Sequence, residues 1–399
     1  MSRDFRTGRS TVILLISVFL VISSVAGFFH YGVLYYFLLG FLALMFLFQS
    51  NLNVGWGIPT IAFFLFICAF SLIANDPPAY FNAWNRFFVY TLVVLIVSPL
   101  ITNMSIGKIR SQVFYYSLCT LAALSVGSFF AYYLGINMFV RDGSELEIGV
   151  GTFSGLMNHS MVLGPFAAIS AVFLFGQFLF EQRRFLRFLF LCSSIFCMGA
   201  SLLASSRIAV LAGIASVIIL ILRYFKGNLT KSLSLFLVII VIATASFPIW
   251  APFTDFVVAK NEANIVEGSV LYSRQRKITA RITEFKSSPL FGIGFCTVDP
   301  RYDVVQVSNG QIEPGSSWLA VLSMTGILGL IAFSSVCIKA FKQAWNTKDR
   351  RKASVLSAIL FFYLVHMLAE GYIMAPRSFL GMFFWLLIGT INASYLEEE

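Results

Sequence analysis

The feature that most constrains this chain is a series of long apolar runs separated by short polar segments. An α-helix needs about 20 mostly apolar residues to cross the hydrocarbon core of a bilayer, and the runs are close to that length. We identify about twelve spans, at residues 11–29, 31–50, 54–74, 86–103, 112–135, 157–180, 185–204, 207–224, 231–249, 316–338, 353–372 and 378–394. Only 12% of the 399 residues are charged, about half the usual share in a soluble domain, so the chain cannot cover itself with a water-facing surface. The sequence predicts an all-α polytopic integral membrane protein, and it excludes a soluble enzyme, a disordered regulator and a disulfide-stapled secreted module.

The basic residues are distributed unevenly between the two sets of loops. With the N-terminus inside, most of the 28 Lys and Arg residues fall in inner loops, whereas most of the 18 acidic residues fall outside. Cationic loops resist translocation, so this asymmetry predicts that both termini are cytoplasmic. The net charge of +10 is therefore a topological signal and does not indicate a nucleic-acid partner. The first apolar run lacks a clear cleavage site, so we expect it to be the first span rather than a signal peptide.

Cysteine and histidine are too scattered in the sequence to predict a metal site. Five of the six cysteines fall within spans, and Cys296 alone lies in an outer loop, where it has no partner for an internal disulfide. No CxxC pair occurs, and the three histidines are isolated from the cysteines. We therefore expect no zinc site.

The longest polar segment is the outer loop 250–315, between the ninth and tenth spans. Functional groups concentrate in loops that are mounted on a rigid scaffold. Within this loop, the pattern from Leu271 to Phe285 predicts an amphipathic helix with Arg274 and Arg281 at the edge of its apolar stripe. Such a helix would lie on the membrane surface with its cations at headgroup depth. Two interpretations stay open: an interfacial helix held by anionic lipids, or contact between Arg274 and the phosphate of a lipid-borne substrate.

Arg207 opens the eighth span on its outer side, directly after Ser205 and Ser206. A helix N-terminus presents unsatisfied N–H groups, and a guanidinium adds a fixed pair of donors that matches phosphate oxygens. The alternative is an arginine that snorkels to the lipid headgroups. Basic residues are disfavoured on this side of the membrane, which favours the functional interpretation.

Carboxylates and histidines also lie at the outer ends of other predicted spans. Glu313 precedes the tenth span, where a serine of Ser316-Ser317-Trp318 is expected to cap the helix, and its carboxylate is a candidate general base. Asn158-His159-Ser160 begins the sixth span, while the spacing of His366 and Glu370 predicts one shared face of the eleventh. The structural alternative for these groups is an ordinary interfacial or hydrogen-bonded role.

In this order, the stretches resemble the bacterial O-antigen ligase and polysaccharide polymerase superfamily. The segments that carry the resemblance are Gly151-Thr152-Phe153, Asn158-His159-Ser160, Ser206-Arg207, Ser273-Arg274, Pro289-Leu290-Phe291-Gly292-Ile293-Gly294-Phe295, Ser317-Trp318-Leu319 and Thr325-Gly326-Ile327-Leu328-Gly329. The resemblance covers a core of about residues 150–330. It implies a single polytopic domain over 1–399 in the bacterial inner membrane, with its active site facing the periplasm.

The resemblance also implies a membrane glycosyltransferase whose donor is a glycan on undecaprenyl pyrophosphate. Arg207 and Arg274 would bind the pyrophosphate, and Arg281, Ser206 and Ser317 are further substrate-binding candidates. An acceptor hydroxyl would attack the anomeric carbon and lipid pyrophosphate would leave, without nucleotide, metal or cofactor. The implied partners are the lipid-linked oligosaccharide, the bilayer, a flippase and a chain-length regulator.

One position departs from the ligase pattern. Ligases of this family carry a histidine just before the tenth span, where this chain has Gly315 followed by Ser316. The departure favours the polymerase branch, which joins repeat units of capsule, exopolysaccharide or O-antigen. Glu313 is then the first substitute base, with His159 and Glu370 as alternates. A ligase acting on lipid A core and a transporter stay open as alternatives, although few ionisable residues lie deep within the spans, which disfavours transport.

Overall fold

The regular elements of the structure, which is a computed structural model, are helices throughout the part of the chain that it describes. That part comprises residues 2–29, 32–48, 55–138, 153–254, 272–302 and 312–398. The helices are α1 (Ser2–Val25), α2 (Gly32–Leu47), α3 (Thr60–Asn75), α4 (Ala83–Val97), α5 (Met104–Tyr133), α6 (Ser160–Phe180), α7 (Arg184–Leu203), α8 (Arg207–Tyr224), α9 (Leu229–Ala245), α10 (Phe247–Trp250), α11 (Tyr272–Ser287), α12 (Ser317–Asn346), α13 (Arg350–His366) and α14 (Phe379–Leu396). Single 3-10 turns at Ala79–Phe81 and Ala251–Thr254 precede α4 and follow α10.

Many of these helices are long and apolar enough to cross a membrane. Among the described residues, seven helical segments meet both conditions: Ala79–Val97, Met104–Tyr133, Ser160–Phe180, Arg184–Leu203, Arg207–Tyr224, Ser317–Asn346 and Phe379–Leu396. Shorter apolar helices cover Ser10–Val25, Gly32–Leu47, Thr60–Asn75 and Leu229–Ala245. Each predicted span overlaps a helix, and the chain has the all-helical fold of a polytopic membrane protein. The count of twelve spans and their orientation in the membrane stay predictions.

Helix α5 begins at Met104, well before the span predicted from residue 112. The side chain of Asn103 caps the helix by accepting a hydrogen bond from the N–H of Ile106 at 2.8 Å. Arg110, which the sequence suggested was a loop cation, lies within the helix and is 1% exposed. Its guanidinium donates to the carbonyl of Ile96 at 2.9 Å and to other carbonyls near the end of α4. Arg110 therefore satisfies carbonyl groups that the end of a helix leaves unpaired.

The start of α13 contacts the ends of α6 and α8, and these contacts define two ends of the bundle. Arg350 at the start of α13 lies over the ring of Tyr224 at the end of α8, with 4.7 Å between its guanidinium carbon and the ring centroid. Arg351, also at the start of α13, is hydrogen-bonded to Gln177 near the end of α6. Helices α6 and α8 therefore run antiparallel to α13, and both begin where α13 ends. We call this end of the bundle, which carries the first residue of α8, the Arg207 end.

Helix α1 ends and helix α12 begins at the Arg207 end as well. The N–H of Asn158, just before α6, donates to the carbonyl of Val25 at the end of α1, at 2.8 Å. The hydroxyl of Ser316, just before α12, donates to the carbonyl of Met367 at 3.1 Å, directly after α13. Polar segments that were singled out from the sequence at several different span ends are thus gathered at one end of the bundle.

Part of the long loop 250–315 is inserted into the bundle rather than lying outside it. Within the segment 289–295, the N–H groups of Ile293 and Gly294 donate to carbonyls of α12 at 2.9 and 3.1 Å. These bonds form where α12 is interrupted at Gly326, whose φ and ψ of 68° and −168° are not helical. On the other side, Phe295 is 0% exposed and its N–H donates to the hydroxyl of Ser71 on α3 at 3.0 Å. Gly292 and Gly294 thus lie in a non-helical segment between α3 and α12, where protein groups satisfy its backbone.

Candidate functional site

The start of α8 is held closely against α6. A Cβ atom at Gly164 of α6 would collide with the side chain of Ser206, so the two backbones approach each other at this point. Ser205, which is 2% exposed, has a φ of 54°, a left-handed conformation that few residues with a side chain adopt. This turn makes Arg207 the first residue of α8, where it is half-buried.

The helices that begin at the Arg207 end differ in how their first N–H groups are satisfied. The cap residues of α6, α12 and α14 are His159, Ser316 and Ser378, and each accepts a hydrogen bond from an N–H of its own helix. Within the described part of the chain, the side chain of Ser206 makes no such bond at α8. A helix start without a side-chain cap and with an arginine in its first turn has the groups that bind an anion.

Helix α11 contacts the start of α12 through Lys277. The Nζ atom of Lys277 lies 2.6 Å from Oε2 of Glu313, whose side chain is 60% exposed. Gly315 has a φ of 81°, and a Cβ atom there would lie 3.0 Å from the Cβ of Lys277. This backbone conformation strongly favours glycine. A side chain at position 315 would therefore be strained and would also have to displace the stem of Lys277.

Arg274 lies one helical turn before Lys277 on α11, about 5 Å along the helix axis. The structure describes its backbone and not its side chain. Because Lys277 contacts the start of α12, the backbone of Arg274 belongs to the Arg207 end of the bundle. The structure thus brings the two arginine positions to one end, and their joint binding of pyrophosphate stays a prediction.

Arg281 does not lie at the edge of an exposed stripe at headgroup depth, as the sequence pattern predicted. It is 1% exposed, and its Nη2 lies 2.9 Å from Oε1 of Glu284, which is 0% exposed. The same Oε1 accepts the N–H of Asp299 at 2.8 Å. The exposed residues of α11 include the apolar Ile278 and Ile282, each 39% exposed. The helix can bury this charged pair because the two ions neutralise each other, and its apolar stripe is exposed at the surface. Binding of substrate by Arg281 stays a prediction.

Ser317 connects the start of α12 to the turn that follows α13. Its hydroxyl donates to the carbonyl of Glu370 at 2.7 Å and accepts the N–H of Tyr372 at 3.0 Å. Its own N–H donates to the carbonyls of Met367 and Glu370 at 3.0 and 2.9 Å. Ser317 is 0% exposed, so in this conformation it supports the turn that carries Glu370. A direct contact between Ser317 and substrate stays a prediction.

A cavity of about 330 Å³ lies at the Arg207 end, between α1, α6, α14 and the turn after α13. Its polar lining includes Ser24, Asn158, His366, Glu370, Tyr372 and Arg377. Helix α13 ends at His366, so Glu370 does not share a helical face with it as the spacing predicted. The bonds to Ser317 instead hold Glu370 on the following turn, where it lines the cavity.

The two histidines at this end are both engaged by neighbouring groups. The Nδ1 atom of His159 accepts the N–H of Met161 at 2.9 Å, so the proton of the neutral ring is on Nε2. His366 is 1% exposed, stacks on Phe362 at 5.2 Å between ring centroids, and lies 3.3 Å from the hydroxyl of Tyr372. His159 is therefore a helix cap in this structure, and its action as a base stays a prediction.

Two cations of this end were not singled out from the sequence. Lys277 lies on α11 in the ion pair with Glu313, and the exposed Arg377 precedes α14 and lines the cavity. The signal for Arg377 was present, because it is a basic residue on the side where basic residues are disfavoured, as Arg207 is. Among the described residues, no group of three or more His, Cys, Asp or Glu has an arrangement that could hold a metal ion.

The chain was also compared with known proteins. No curated protein matches it. Residues 188–334 match the family model described as O-antigen ligase. The matched segment contains Arg207, Arg274, Glu313 and Ser317, whereas His159 and Glu370 lie outside it. The match confirms, over residues 188–334, the resemblance to the O-antigen ligase and polysaccharide polymerase superfamily that the motifs indicated.

Proposed function

We propose that this protein is a polysaccharide polymerase that joins repeat units carried on undecaprenyl pyrophosphate. The reaction takes place at the Arg207 end of the bundle, which faces the periplasm from the inner membrane. The functional core comprises residues 150–330 within one membrane domain, and the loop 250–315 contributes α11 to it. The polymer is a capsule, an exopolysaccharide or an O-antigen, with a flippase supplying the lipid-linked units and a chain-length regulator as a further partner.

The observation that carries this proposal is the start of α8. Its first turn combines a half-buried arginine with N–H groups that the cap residue Ser206 does not satisfy. The backbone of Arg274 on α11 belongs to the same end of the bundle. Arginines and N–H dipoles that belong to one end of the bundle suit a diphosphate, because they can stabilise its negative charge as that charge grows.

In the proposed reaction, a hydroxyl oxygen of the acceptor attacks the anomeric carbon of the donor glycan. The bond between that carbon and the pyrophosphate oxygen breaks, and its electron pair leaves with the lipid pyrophosphate. Arg207 and Arg274 stabilise the charge that develops on this leaving group. The hydroxyl proton passes to a general base, and Glu370, Glu313 and His159 are the candidates.

Of the three candidate bases, the geometry favours Glu370. It lines a cavity large enough for a ligand, and Ser317 fixes its position through the main chain. Glu313 is instead bound to Lys277 on an exposed surface, and the Nδ1 of His159 accepts the N–H of Met161. A base must lie within hydrogen-bond reach of the proton that it removes, and a cavity allows that approach.

The conformation of residue 315 favours the polymerase over the ligase. The family's ligases carry a histidine at this position, whereas here a glycine with a φ of 81° packs under the stem of Lys277. A histidine side chain would be strained at this φ and would displace the lysine. The description of the matching family model as O-antigen ligase keeps transfer to lipid A core as the second candidate.

The deciding experiment is reconstitution of the purified protein in nanodiscs with lipid-linked repeat units as the sole substrate. We expect a ladder of longer lipid-linked products without any added lipid A. If products appear only when lipid A core is supplied, the protein is a ligase and the polymerase proposal is wrong.

The same assay tests the proposed role of Arg207. We expect Arg207→Ala to abolish the ladder and Arg207→Lys to lower it strongly, because lysine cannot form the two-pronged contact with phosphate. The matched control is Arg184→Ala, which removes an exposed arginine from the first turn of α7 at the opposite end. A normal ladder from both Arg207 variants would contradict the role of this residue.

A further inference from the structure

We propose that the cavity lined by Glu370 and Arg377 binds the acceptor saccharide, and that Arg377 is a specificity-determining residue of this site. This inference rests on the proposed polymerase function and deepens it by assigning the second substrate. The cavity takes the sugar end that carries the attacking hydroxyl, separately from the diphosphate of the donor. Its volume of about 330 Å³ is at the lower end of the range for ligand pockets, roughly 300–1,000 Å³.

The lining has the mixed chemistry that a sugar ring requires. The carboxylate of Glu370 accepts the hydrogen of a hydroxyl group, and the guanidinium of Arg377 and the amide of Asn158 donate to hydroxyl oxygens. Met161, which is 44% exposed, and the half-buried Val162 and Leu380 also line the cavity and offer apolar surface to the C–H face of a ring. A wall that combines polar and apolar groups matches both surfaces of a saccharide.

The charge of the lining also argues against the donor diphosphate as the occupant. The carboxylate of Glu370 offsets the guanidinium of Arg377, so these two side chains offer no excess of positive charge to a strongly anionic diphosphate, whereas a neutral sugar hydroxyl can bond to either group. None of the described residues that line the cavity falls within 188–334, the segment that matches the family model and contains both pyrophosphate-binding candidates. The cavity is therefore built from a part of the chain distinct from the one that carries the arginines Arg207 and Arg274.

The wall of the cavity nevertheless contacts the residues before α12, which in turn contact α11. The carbonyl of Glu370 accepts the hydroxyl of Ser317 at 2.7 Å, which ties the cavity to the start of α12. The next residue, Gly371, packs so closely on Pro314 that a Cβ atom there would collide with the proline ring. Pro314 lies between Glu313, which is bound to Lys277 of α11, and Gly315. A saccharide in the cavity therefore lies beside residues 313–315, which contact α11, the helix that carries Arg274. Transfer between two bound substrates requires such proximity.

The test measures saccharide binding directly and without catalysis. The probe is the repeat-unit oligosaccharide of the host strain, released from its lipid by mild acid so that it carries no pyrophosphate and isotopically labelled. Equilibrium binding is measured on the full-length protein in nanodiscs. We expect the wild type to bind the probe, and Arg377→Ala and Glu370→Gln each to weaken its affinity about ten-fold or more through loss of a charged hydrogen-bond partner.

Two variants serve as controls for this measurement. Lys286→Ala removes an exposed cation of α11 that does not line the cavity, and it should leave probe binding unchanged. Arg207→Ala should also leave probe binding unchanged although it abolishes the polymer ladder. Because Arg377 is exposed and Glu370→Gln keeps the shape of the side chain, we expect both cavity variants to fold; their thermal unfolding midpoints check this.

The outcomes separate this inference from the proposed function. Absence of probe binding to the wild type, or unchanged affinity in folded Arg377→Ala and Glu370→Gln, overturns the acceptor site. An equal loss of affinity in Arg207→Ala also overturns it, because the probe would then bind at the site proposed for the donor pyrophosphate. Binding with the expected sensitivities by a protein that forms no ladder means that the saccharide site is real and that the polymerase proposal has failed.

Discussion

Gly292 and Gly326 lie at the point where two backbones cross without any side chain between them. A Cβ atom at Gly326 would overlap the carbonyl group of Leu290, and one at Gly292 would overlap the carbonyl of Met324. Both glycines have a positive φ, 70° and 68° respectively. The N–H of Ile327, directly after the interruption of α12, donates to the carbonyl of Pro289 at 2.9 Å. Two motifs that are separated in the sequence therefore form one structural unit, which fixes the loop leading from α11 against α12.

The first prediction concerns this crossing. We expect Gly326→Ala and Gly292→Ala each to lower the free energy of unfolding by about 3 kcal/mol or more, because left-handed strain adds to a backbone collision. The measurement is the thermal unfolding midpoint in detergent, followed by tryptophan fluorescence. Gly135→Ala is the matched control, since Gly135 has a φ of 68° and a Cβ atom added there would have no neighbour within 4 Å. It should lose only the left-handed cost, about 1 kcal/mol. Equal losses at all three positions would contradict the close crossing.

The second prediction concerns the ion pair of Arg281 and Glu284. Removal of one partner leaves a buried charge uncompensated, so Arg281→Ala should destabilise the protein by about 3–5 kcal/mol. The double variant Arg281→Met, Glu284→Leu should recover most of that loss, because it removes both charges and keeps the volume. Thermal unfolding in detergent measures both effects.

The ion pair of the exposed Arg301 with Asp299 provides the control. Arg301 lies 2.6 Å from Asp299 and is 75% exposed, and its hydrogen bonds hold the pKa of Asp299 below its usual value. Arg301→Ala should therefore cost less than about 1 kcal/mol. If Arg281→Ala were as stable as the wild type but formed no polymer, Arg281 would bind substrate, as the sequence suggested.

The helices were predictable from the sequence because their signals are local. Apolar length alone predicted the long apolar helices, and the periodicity from Leu271 to Phe285 predicted α11, which the structure has at Tyr272–Ser287. The serine cap of α12 was also predictable, since Ser316 accepts the N–H of Leu319 three residues later. The position of Arg207 at the start of α8 followed from the same kind of local pattern.

The arrangement of the site was not predictable from the sequence, because it depends on contacts between remote segments. The face of α11 that becomes buried is set by Glu284 and its bond to Asp299, not by the apolar stripe. Glu370 leaves the helix of His366 because Ser317, far away in the chain, binds the carbonyls that follow α13. No periodicity within one segment contains this information.

The third prediction concerns Cys296, which directly follows the inserted segment 289–295. It is 3% exposed and contacts Arg86 of α4, whose guanidinium donates to its Sγ at 3.7 Å. Burial raises the pKa of the Cys296 thiol, and the nearby Arg86 opposes this effect only in part. Since the thiolate is the reactive form, a membrane-impermeant maleimide at pH 7 should not label Cys296 in intact membranes. Peptide mass spectrometry identifies the labelled position.

Ser287→Cys is the control for this labelling, because it introduces a thiol at an exposed position shortly before the segment. It should react readily under the same conditions, and Cys296 should react only after denaturation. Rapid labelling of native Cys296 would mean that the segment 289–295 is not held inside the bundle.

The fourth prediction concerns Gly315→His, which restores the residue that the family's ligases carry at this position. Histidine must adopt a left-handed φ there, at a cost of about 1–2 kcal/mol, and it must also displace the Lys277 stem that lies 3.0 Å from its Cβ. We therefore expect a lower thermal unfolding midpoint, a weaker polymer ladder and no transfer of glycan to lipid A core. Adding Lys277→Ala removes the collision and should restore part of the stability, whereas Gly227→His, at a φ of 79° with no neighbour within 4 Å, should show the left-handed cost alone. A Gly315→His protein that gained transfer to lipid A core would show that a ligase site is already present around this position, and the assignment to the polymerase branch would then have to be replaced.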